Sequence, residues 1–522
     1  MTYANVYSDT PQTEALSGQV VNNAGGFSFQ LDDWDRLNRF LILGTEGGSY
    51  YVGESKLTRE NADVVKRCLD KDFARTIATI VDVSTNGRAA KQDAGIFALA
   101  MASGHANKEA RKMALQAMPQ VCRTGTTLFT FMEYSKQFRG TGRSFREGVA
   151  AWYTDKTPEK LGYQMVKYRQ RNGWTHADVL RLAHPKPSND LQSAMFKWAT
   201  SDTYDMVPNV DVMKGFAYIQ KAETEAQVVA ILNDFDLPWE AVPTQFLNSP
   251  SVWNTLINKG SLPLGALIRQ LPRLTSIGVV ANKRVELARR ISSHDELRKA
   301  RIHPLGILNA KIAYEAGSSR GSLTWEPDQV VSSALEDAFY ASFEFVEPSN
   351  KRTYIGLDVS GSMDFVGNIR GMAITPRVAS AALCLVTARS EPDYRIKAFS
   401  HRMQDIDITN KTDLRNALRM TDGLPFRGTD CALPMLDAIE KGYKVDTFVV
   451  YTDNETWAGR THPVEALKRY RKESGIPAKL IVVGMMSNGF SIADPNDAGM
   501  LDVAGMSTDT PSTISKFSAG LI

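Results

Sequence analysis

Three short stretches of this 522-residue chain carry oxygen ligands at spacings that can hold a metal ion. The first is Asp358-Val359-Ser360-Gly361-Ser362-Met363, a carboxylate followed by two alternate hydroxyls. It follows Thr353-Tyr354-Ile355-Gly356-Leu357, an apolar, β-branched run that reads as a buried strand. In an open α/β sheet, ligands bind in the loops outside the carboxyl ends of the strands. Hard oxygen ligands suit a hard divalent cation that keeps some of its water, which describes Mg2+. Taken alone, the stretch reads equally as a strand exit whose Asp and Ser side chains satisfy turn amides. Two later stretches favour the cation. Gly428-Thr429-Asp430 precedes an expected helix, and Thr452-Asp453-Asn454-Glu455 follows a second buried-strand pattern, Asp446–Tyr451. Asp358, Ser360, Ser362, Thr429 and Asp453 can then converge on one cation, directly or through water. With few carboxylates among its ligands, such an ion stays incompletely neutralised and can accept an acidic group from a partner.

The second constellation runs from Lys136 to Lys186. It holds eleven Lys and Arg against four acids, a pronounced positive bias. Arg139, Arg143 and Arg146 open it. Lys167-Tyr168-Arg169-Gln170-Arg171-Asn172-Gly173-Trp174 then mixes cations with aromatic and amide groups, and His184-Pro185-Lys186 closes it. Guanidinium groups pair with phosphates in bidentate fashion, and aromatic faces stack on bases. The competing reading is a solvated helix face with Trp174 packed into the core.

The elements that must position these groups fall into two kinds. Residues 1–24 are polar and read as an arm. From Thr58 to about Phe345, short and mostly amphipathic helices succeed one another, among them 59–70, 73–85, 126–138, 158–171 and 175–183, with Thr58, Ser188 and Asp190 as caps. A short strand is expected at Tyr50-Tyr51-Val52. Helix pairs at this pitch suggest HEAT-like stacking, although no strict sequence period is present and a plain helical globule reads as well. After Glu347-Pro348-Ser349-Asn350 the pattern alternates. Strands are expected at 353–358, 393–399, 446–452 and 479–484, and helices at 370–389, 411–419, 431–441, 463–473 and 498–504. That alternation predicts a doubly wound, mostly parallel sheet. The expected division is an arm over 1–24, a helical module over 25–347 and an α/β domain over 348–522.

Composition sets bounds on function. Hydrophobic residues make up 43% and charged residues 23%, ordinary values for a globular protein. A net charge of +3 does not by itself announce a nucleic-acid partner. Cys68, Cys122, Cys384 and Cys431 form no C-x-x-C pair, and with seven histidines they give no zinc signature. Neither a signal pattern nor a run of membrane-spanning length is present, so a cytoplasmic protein without a membrane partner is expected.

The three cation stretches together resemble the metal-ion-dependent adhesion site of a von Willebrand factor A domain. Lys167–Pro187 and Cys122-Arg123-Thr124-Gly125-Thr126-Thr127-Leu128-Phe129-Thr130-Phe131 resemble the TROVE module of the Ro ribonucleoprotein family. So do Asn22-Asn23-Ala24-Gly25-Gly26, Phe40-Leu41-Ile42-Leu43-Gly44 and Gly47-Gly48-Ser49-Tyr50-Tyr51, while Phe448–Gly459 looks Ro-like beyond the general A-domain pattern. The order of the modules is that of Ro proteins, and the likeness is to a bacterial or phage-type member. The resemblance implies a monomeric ring of HEAT-like repeats closed by a Rossmann-like A domain. It implies binding of small Y-like noncoding RNAs on the outer surface and of single-stranded 3′ ends of misfolded RNA in a central hole. It also implies a role in RNA quality control or decay with a 3′ exoribonuclease tethered through RNA. The family's outer-surface Lys, Arg and His map onto Lys167, Arg171 and His184. Tyr168, Arg169 and Lys186 lie in the same motif. Arg139, Arg143 and Arg146 are assigned on charge, and Arg123 is a candidate because of its motif.

Two other functions compete. A Mg2+-dependent nuclease would need several carboxylates around paired ions. Only Asp358 and Asp453 are offered, and no H-E-x-x-H, Walker A or G-x-S-x-G pattern occurs, so no catalytic residue is expected. A metal-dependent protein-adhesion scaffold is compatible with RNA binding.

Overall fold

The computed structural model describes residues 9–45, 54–89, 91–201, 206–300, 302–319, 321–343, 347–364, 374–424, 428–505 and 507–522. The strand expected at Tyr50–Val52 and the glycine-rich turn before it lie outside them.

The β-branched runs after Asn350 form strands because they are apolar on both faces, as a sheet covered on both sides requires. Across the sheet the order is Met500–Ala504, Lys479–Gly484, Thr447–Thr452, Thr353–Asp358, Tyr394–Phe399 and Met403–Asp405. The first five are parallel, and Met403–Asp405 pairs antiparallel at the far edge. From the central strand the chain goes to one side, at 394–399, and then to the other, at 447–452. The carboxyl ends of Thr353–Asp358 and Thr447–Thr452 therefore flank the switch point where a ligand crevice is expected. Strand side chains alternate between two cores. Ile355, Leu357, Val449, Tyr451, Ile481 and Val483 join an apolar core continuous with the helical region. Tyr354, Phe448, Val450, Leu480 and Val482 pack in a second core with residues of the helices Leu433–Glu440 and Pro463–Ser474.

All four expected strands are present within a residue of their predicted limits. The helix expected at 498–504 is instead the edge strand Met500–Ala504. Seven residues are too few to hold a helix by propensity, and the open edge of Lys479–Gly484 satisfies their backbone groups.

Upstream, helices run from Asp33–Leu43 to Gln329–Ala341, each packed on a helix one or two positions away along the chain. Glu54–Thr85 breaks at Asp72, whose carboxylate caps the second half at the Arg75 amide, 2.9 Å away. Its two halves are the helices expected at 59–70 and 73–85. Because the first half begins at Glu54, Thr58 lies inside it and is no cap. The expected caps Ser188 and Asp190 give way to Asn189, which accepts from the Gln192 amide at 2.8 Å. The array closes on itself where His303 meets the Arg88 carbonyl at 3.2 Å. Arg88 also pairs with Asp509 of the α/β domain at 3.1 Å. At the other junction Glu336 accepts from the Leu414 amide at 2.9 Å, and Glu315 pairs with Arg415 at 3.0 Å. Trp152, Trp198 and Trp253 are buried, while Trp239 and Trp325 pack on the core's margin. All four cysteines are buried, free thiols.

The segment expected as an arm lies, over residues 9–24, against the α/β domain. Gln19–Val21 and Phe27–Gln30 form a hairpin, to which Phe490–Ser491 adds a third strand. The first helix, Asp33–Leu43, then inserts Arg39 into the α/β domain. Its buried guanidinium pairs with Asp502 and donates to the Phe490 carbonyl at 3.0 Å. Gly484 makes room for it, since a Cβ there would lie 2.4 Å from Arg39 Nη2. Gly484→Ala should therefore destabilise the protein by about 1–3 kcal/mol, the usual range for forcing atoms into packed space. Urea unfolding beside Gly140→Ala, where a Cβ meets open space, checks this, and equal losses would refute it.

Candidate nucleic-acid interface and cation site

The basic motif is displayed on a hairpin and two helix ends. The helix expected at 158–171 stops at Lys167, and the chain turns into a two-stranded hairpin, Gln170–Arg171 with Trp174–Thr175. The cause is Asn172-Gly173, both at positive φ (51° and 76°), the pair that a tight hairpin turn favours. That dipeptide signals the hairpin in the sequence. Thr175 then caps the helix His176–Ala183 through a reciprocal capping box with Asp178. His184 ends that helix in the left-handed region and is exposed, as are Arg169, Arg171 and Lys186. Eight helical residues put His184 about 12 Å along from the hairpin end. Lys167 is half-buried, donating to Tyr163 Oη at 3.1 Å and lying over the ring of Tyr168. Beside the hairpin, Arg169, Gln170, Thr175, Arg181 and Thr200 line a cleft of about 570 Å³.

Beneath this surface the two quoted TROVE-like stretches meet. Asn172 Nδ2 donates to Thr130 Oγ1 at 3.3 Å, and just ahead of the second stretch Gln164 Oε1 accepts from the Gly125 amide at 2.8 Å. His176 is buried against Phe129 and Tyr153, with Nδ1 2.9 Å from Tyr153 Oη. Burial lowers its pKa to about 4. Trp174 is half-buried, its indole N–H on Glu133 at 2.9 Å and Lys136 over its face, so it anchors the hairpin.

Two residues named for charge or motif are engaged in the fold. Arg139 donates to the Ser103 carbonyl at 2.6 Å and covers the Phe145 ring. Arg123 ties two helix ends, donating to the carbonyls of Gln120 at 2.7 Å and Ser84 at 3.1 Å. Arg143 pairs with Glu147 at 2.8 Å on the surface, and Arg146 is exposed.

At the sheet's switch point Asp358, Ser360, Ser362, Thr429 and Asp453 are all buried. Asp358 accepts from the Ser360 amide at 2.8 Å and from Thr452 Oγ1, across the crevice, at 2.7 Å. Ser360 and Ser362 hydroxyls are 3.0 Å apart. Asp453 Oδ1 accepts from the Glu455 amide at 3.0 Å, while its buried Oδ2 has no hydrogen-bond partner among the described residues. Burial raises the pKa of both aspartates, and the charge of Asp453 raises that of Asp358 further. Among the described residues no group of three His, Cys, Asp or Glu clusters at metal-holding geometry. The site is thus two carboxylates with neutral hydroxyls.

Support for the site was less legible in sequence. Glu455 is buried and accepts from Asn23 Nδ2 at 2.8 Å, the Asn23 amide at 2.8 Å and Asn488 Nδ2 at 2.9 Å. Asn22 Nδ2 donates to the Thr456 carbonyl at 2.7 Å. Gln12 Nε2 donates to Asp430 Oδ1 at 2.7 Å, and its Oε1 accepts from the Thr456 hydroxyl. The early Asn22–Gly26 motif and the Thr452–Thr456 run therefore form one buried unit, although more than 400 residues separate them. A wholly polar run directly after a buried strand is the signal that marks it.

The family model described as TROVE domain matches residues 20–233 and 236–317, and that described as Ro60 vWA domain matches 352–518. The chain is 39% identical over 520 residues to the RNA-binding protein RO60 of Deinococcus radiodurans, covering 98% of this chain and 97% of that protein. It is 34% identical over 586 residues to the RNA-binding protein RO60 of Caenorhabditis elegans, covering 97% and 91%. The crystal structure of the Deinococcus radiodurans RO (RSR) protein matches with a TM-score of 0.70 at 37% identity, over 94% of this chain and 100% of that one.

The buried imidazole gives the hairpin scaffold a pH dependence. Between the ordinary histidine value of 6.5 and about 4, the unfolded chain takes up a proton at His176 that the folded chain refuses. This contribution to stability is complete above the first value and falls as pH drops through the window, by about 3 kcal/mol in all. Urea unfolding from pH 7 to pH 4 should show wild type losing that much more than His176→Gln. Parallel curves would refute it.

Proposed function

This chain is a member of the Ro60 family, a TROVE domain followed by a Ro60 vWA domain, and we propose that it binds RNA through the surface built around Lys167, Arg171 and His184. The observation that carries this reading is the display of Arg169, Arg171, His184 and Lys186, all exposed, on a hairpin anchored through half-buried Trp174 and on the end of a helix whose underside is buried. A rigid scaffold presents the cations without a large ordering cost at binding. Side chains about 12 Å apart, at the hairpin and at the helix end, reach more than one phosphate of a folded RNA. Relatives named as RNA-binding proteins over nearly the full length support it. At a finer level, the ligand on this surface is a small Y-like noncoding RNA, and the ring admits single-stranded 3′ ends of misfolded RNA. The protein then acts in RNA quality control with an exoribonuclease tethered through the RNA, in the cytoplasm. No helix among the described residues is long and apolar enough to cross a membrane.

The switch-point residues fit a single hard cation, Mg2+ by their chemistry. Among the described residues, two adjacent buried carboxylates, one with an unpartnered oxygen, have only neutral donors bonded to them. A divalent ion held by Asp358, Ser360, Ser362, Thr429 and Asp453 would supply a counter-charge. Two carboxylates do not make the paired-ion cluster of a phosphodiesterase, so the ion serves as a docking point and the protein is not an enzyme.

Binding of a stem-loop Y-like RNA across salt concentrations, to wild type and to a Lys167→Ala, Arg171→Ala, His184→Ala triple variant, tests the RNA surface. The variant should bind at least about ten-fold more weakly, with a salt slope reduced by about 2. Equal affinity and equal slope would remove these residues from the interface.

A further inference from the structure

The cation site is wired to the joint between the helical region and the A domain through one side chain. Asn488 is 1% exposed and has all three of its hydrogen bonds to groups that matter. Its Nδ2 donates to the Asp453 carbonyl at 2.7 Å and to Glu455 Oε1 at 2.9 Å, and its Oδ1 accepts from Arg39 Nη1 at 3.2 Å. Two acceptors on one side and a guanidinium on the other allow only one orientation of the amide. Arg39 is equally buried and comes from the helix Asp33–Leu43, where it also holds Asp502 and the Phe490 carbonyl. The same helix and its neighbour are seated on this segment by two further bonds. Ser487 Oγ donates to the Gly44 carbonyl at 2.6 Å, and Asn61 Nδ2 donates to the Ser487 carbonyl at 3.2 Å.

The loop that Asn488 grips is held in one shape. Asn454 sits at a positive φ of 67°, and its side-chain oxygen accepts from the Ile492 amide at 3.0 Å. The peptide carbonyl that Asn488 holds belongs to the residue whose carboxylate has the unpartnered oxygen. A cation that draws in the Asp453 carboxylate therefore fixes the orientation of the Asp453 peptide, and with it the Asn488 amide that Arg39 needs. By linkage, seating Arg39 must favour the cation to the same degree.

We propose that Asn488 is a positioning residue of the cation site and that, through Arg39, it couples cation binding to the seating of helix Asp33–Leu43 on the A domain. This rests on the cation reading above. An ion docked at the switch point would thereby tighten one of the two junctions that close the ring.

The experiment uses full-length protein stripped with chelator, Mn2+ as the probe, and two readouts: Mn2+ affinity by electron paramagnetic resonance, and amide hydrogen exchange of residues 33–43 with and without saturating Mn2+. Wild type should bind Mn2+, Asp358→Ala should not, and Mn2+ should slow exchange in the wild-type helix at least about five-fold. Asn488→Ala should bind Mn2+ about ten-fold more weakly and, once saturated, show no slowing. Arg39→Lys keeps a charge for Asp502 but loses the fork that reaches Asn488. It should abolish the slowing too, and it decides the matter if Asn488→Ala does not fold. A merely structural asparagine would raise exchange equally with and without Mn2+. Failure of wild type to bind Mn2+, or equal binding by Asp358→Ala, overturns the cation reading itself. Binding at Asp358 with no slowing in wild type, or slowing retained in both variants, overturns the coupling alone.

Discussion

Three carboxylates, those of Asp358, Asp453 and Glu455, are buried near where two neighbouring parallel strands end, with Asp453 the charged neighbour of each of the other two. Taking such groups out of water is expensive, and among the described residues no lysine or arginine is hydrogen-bonded to any of them. Their surroundings must therefore be rich in neutral donors. Thr452 and the Ser360 amide serve Asp358, and Asn23, the Ala24 amide and Asn488 serve Glu455. Much of the rest of the architecture follows from delivering those donors. The N-terminal segment crosses the A domain because Gln12, Asn22 and Asn23 must arrive at the 430 and 455 loops. The Phe490–Ser491 strand sits beside Phe27–Gln30, which brings the segment carrying Asn488 to the same place.

The guanidinium of Arg39 adds the second requirement. Buried between the first helix and the sheet, it is matched by Asp502, a carbonyl and the Asn488 amide oxygen. Gly484 leaves the space it fills. Polar groups at this joint specify geometry as well as adhesion, because a shifted helix would leave a buried charge unpaired. The opposite junction, with Lys311, Glu315, Glu336 and Arg415, uses a similar device in a partly solvated setting. On the outer surface the logic reverses. The cations at Arg169, Arg171 and Lys186 are left to solvent, while the groups beneath them, such as His176 and Gln164, are buried or bonded.

Most of the α/β domain was legible from local pattern. Short apolar runs rich in β-branched and aromatic residues, such as Phe448–Tyr451, favour a strand covered on both faces. Four of the five candidate cation residues, Asp358, Ser360, Ser362 and Asp453, could be placed for a related reason, since hydroxyls and acids directly after such strands must sit at the sheet's carboxyl edge, whereas Thr429 lies in a loop before a helix. Short segments without a strong period went astray. The stretch 498–504 reads as helix by pattern and became an edge strand because a neighbouring strand offered its unpaired edge. Residues 168–171 continue a helical pattern, yet Asn172-Gly173 turned them into a hairpin. Arg123 and Arg139 show the limit of charge as a guide, because a guanidinium's five donors are as useful for tying helix ends as for gripping phosphate.

By itself the sequence determined which segments are strands or helices, which loops carry hard oxygen ligands, and where cations concentrate. These properties depend on near neighbours along the chain, through periodicity, turn chemistry and strand ends. Only the tertiary structure decided that Asn22 and Asn23 bond the loop after Asp453, that Arg39 and Asn488 bridge two domains, and which basic residues remain exposed. Those outcomes depend on buried polar groups finding partners hundreds of residues away. A lone asparagine or arginine in sequence carries no mark of the partner it will be made to meet, since the partner is chosen by which surfaces the whole fold brings together.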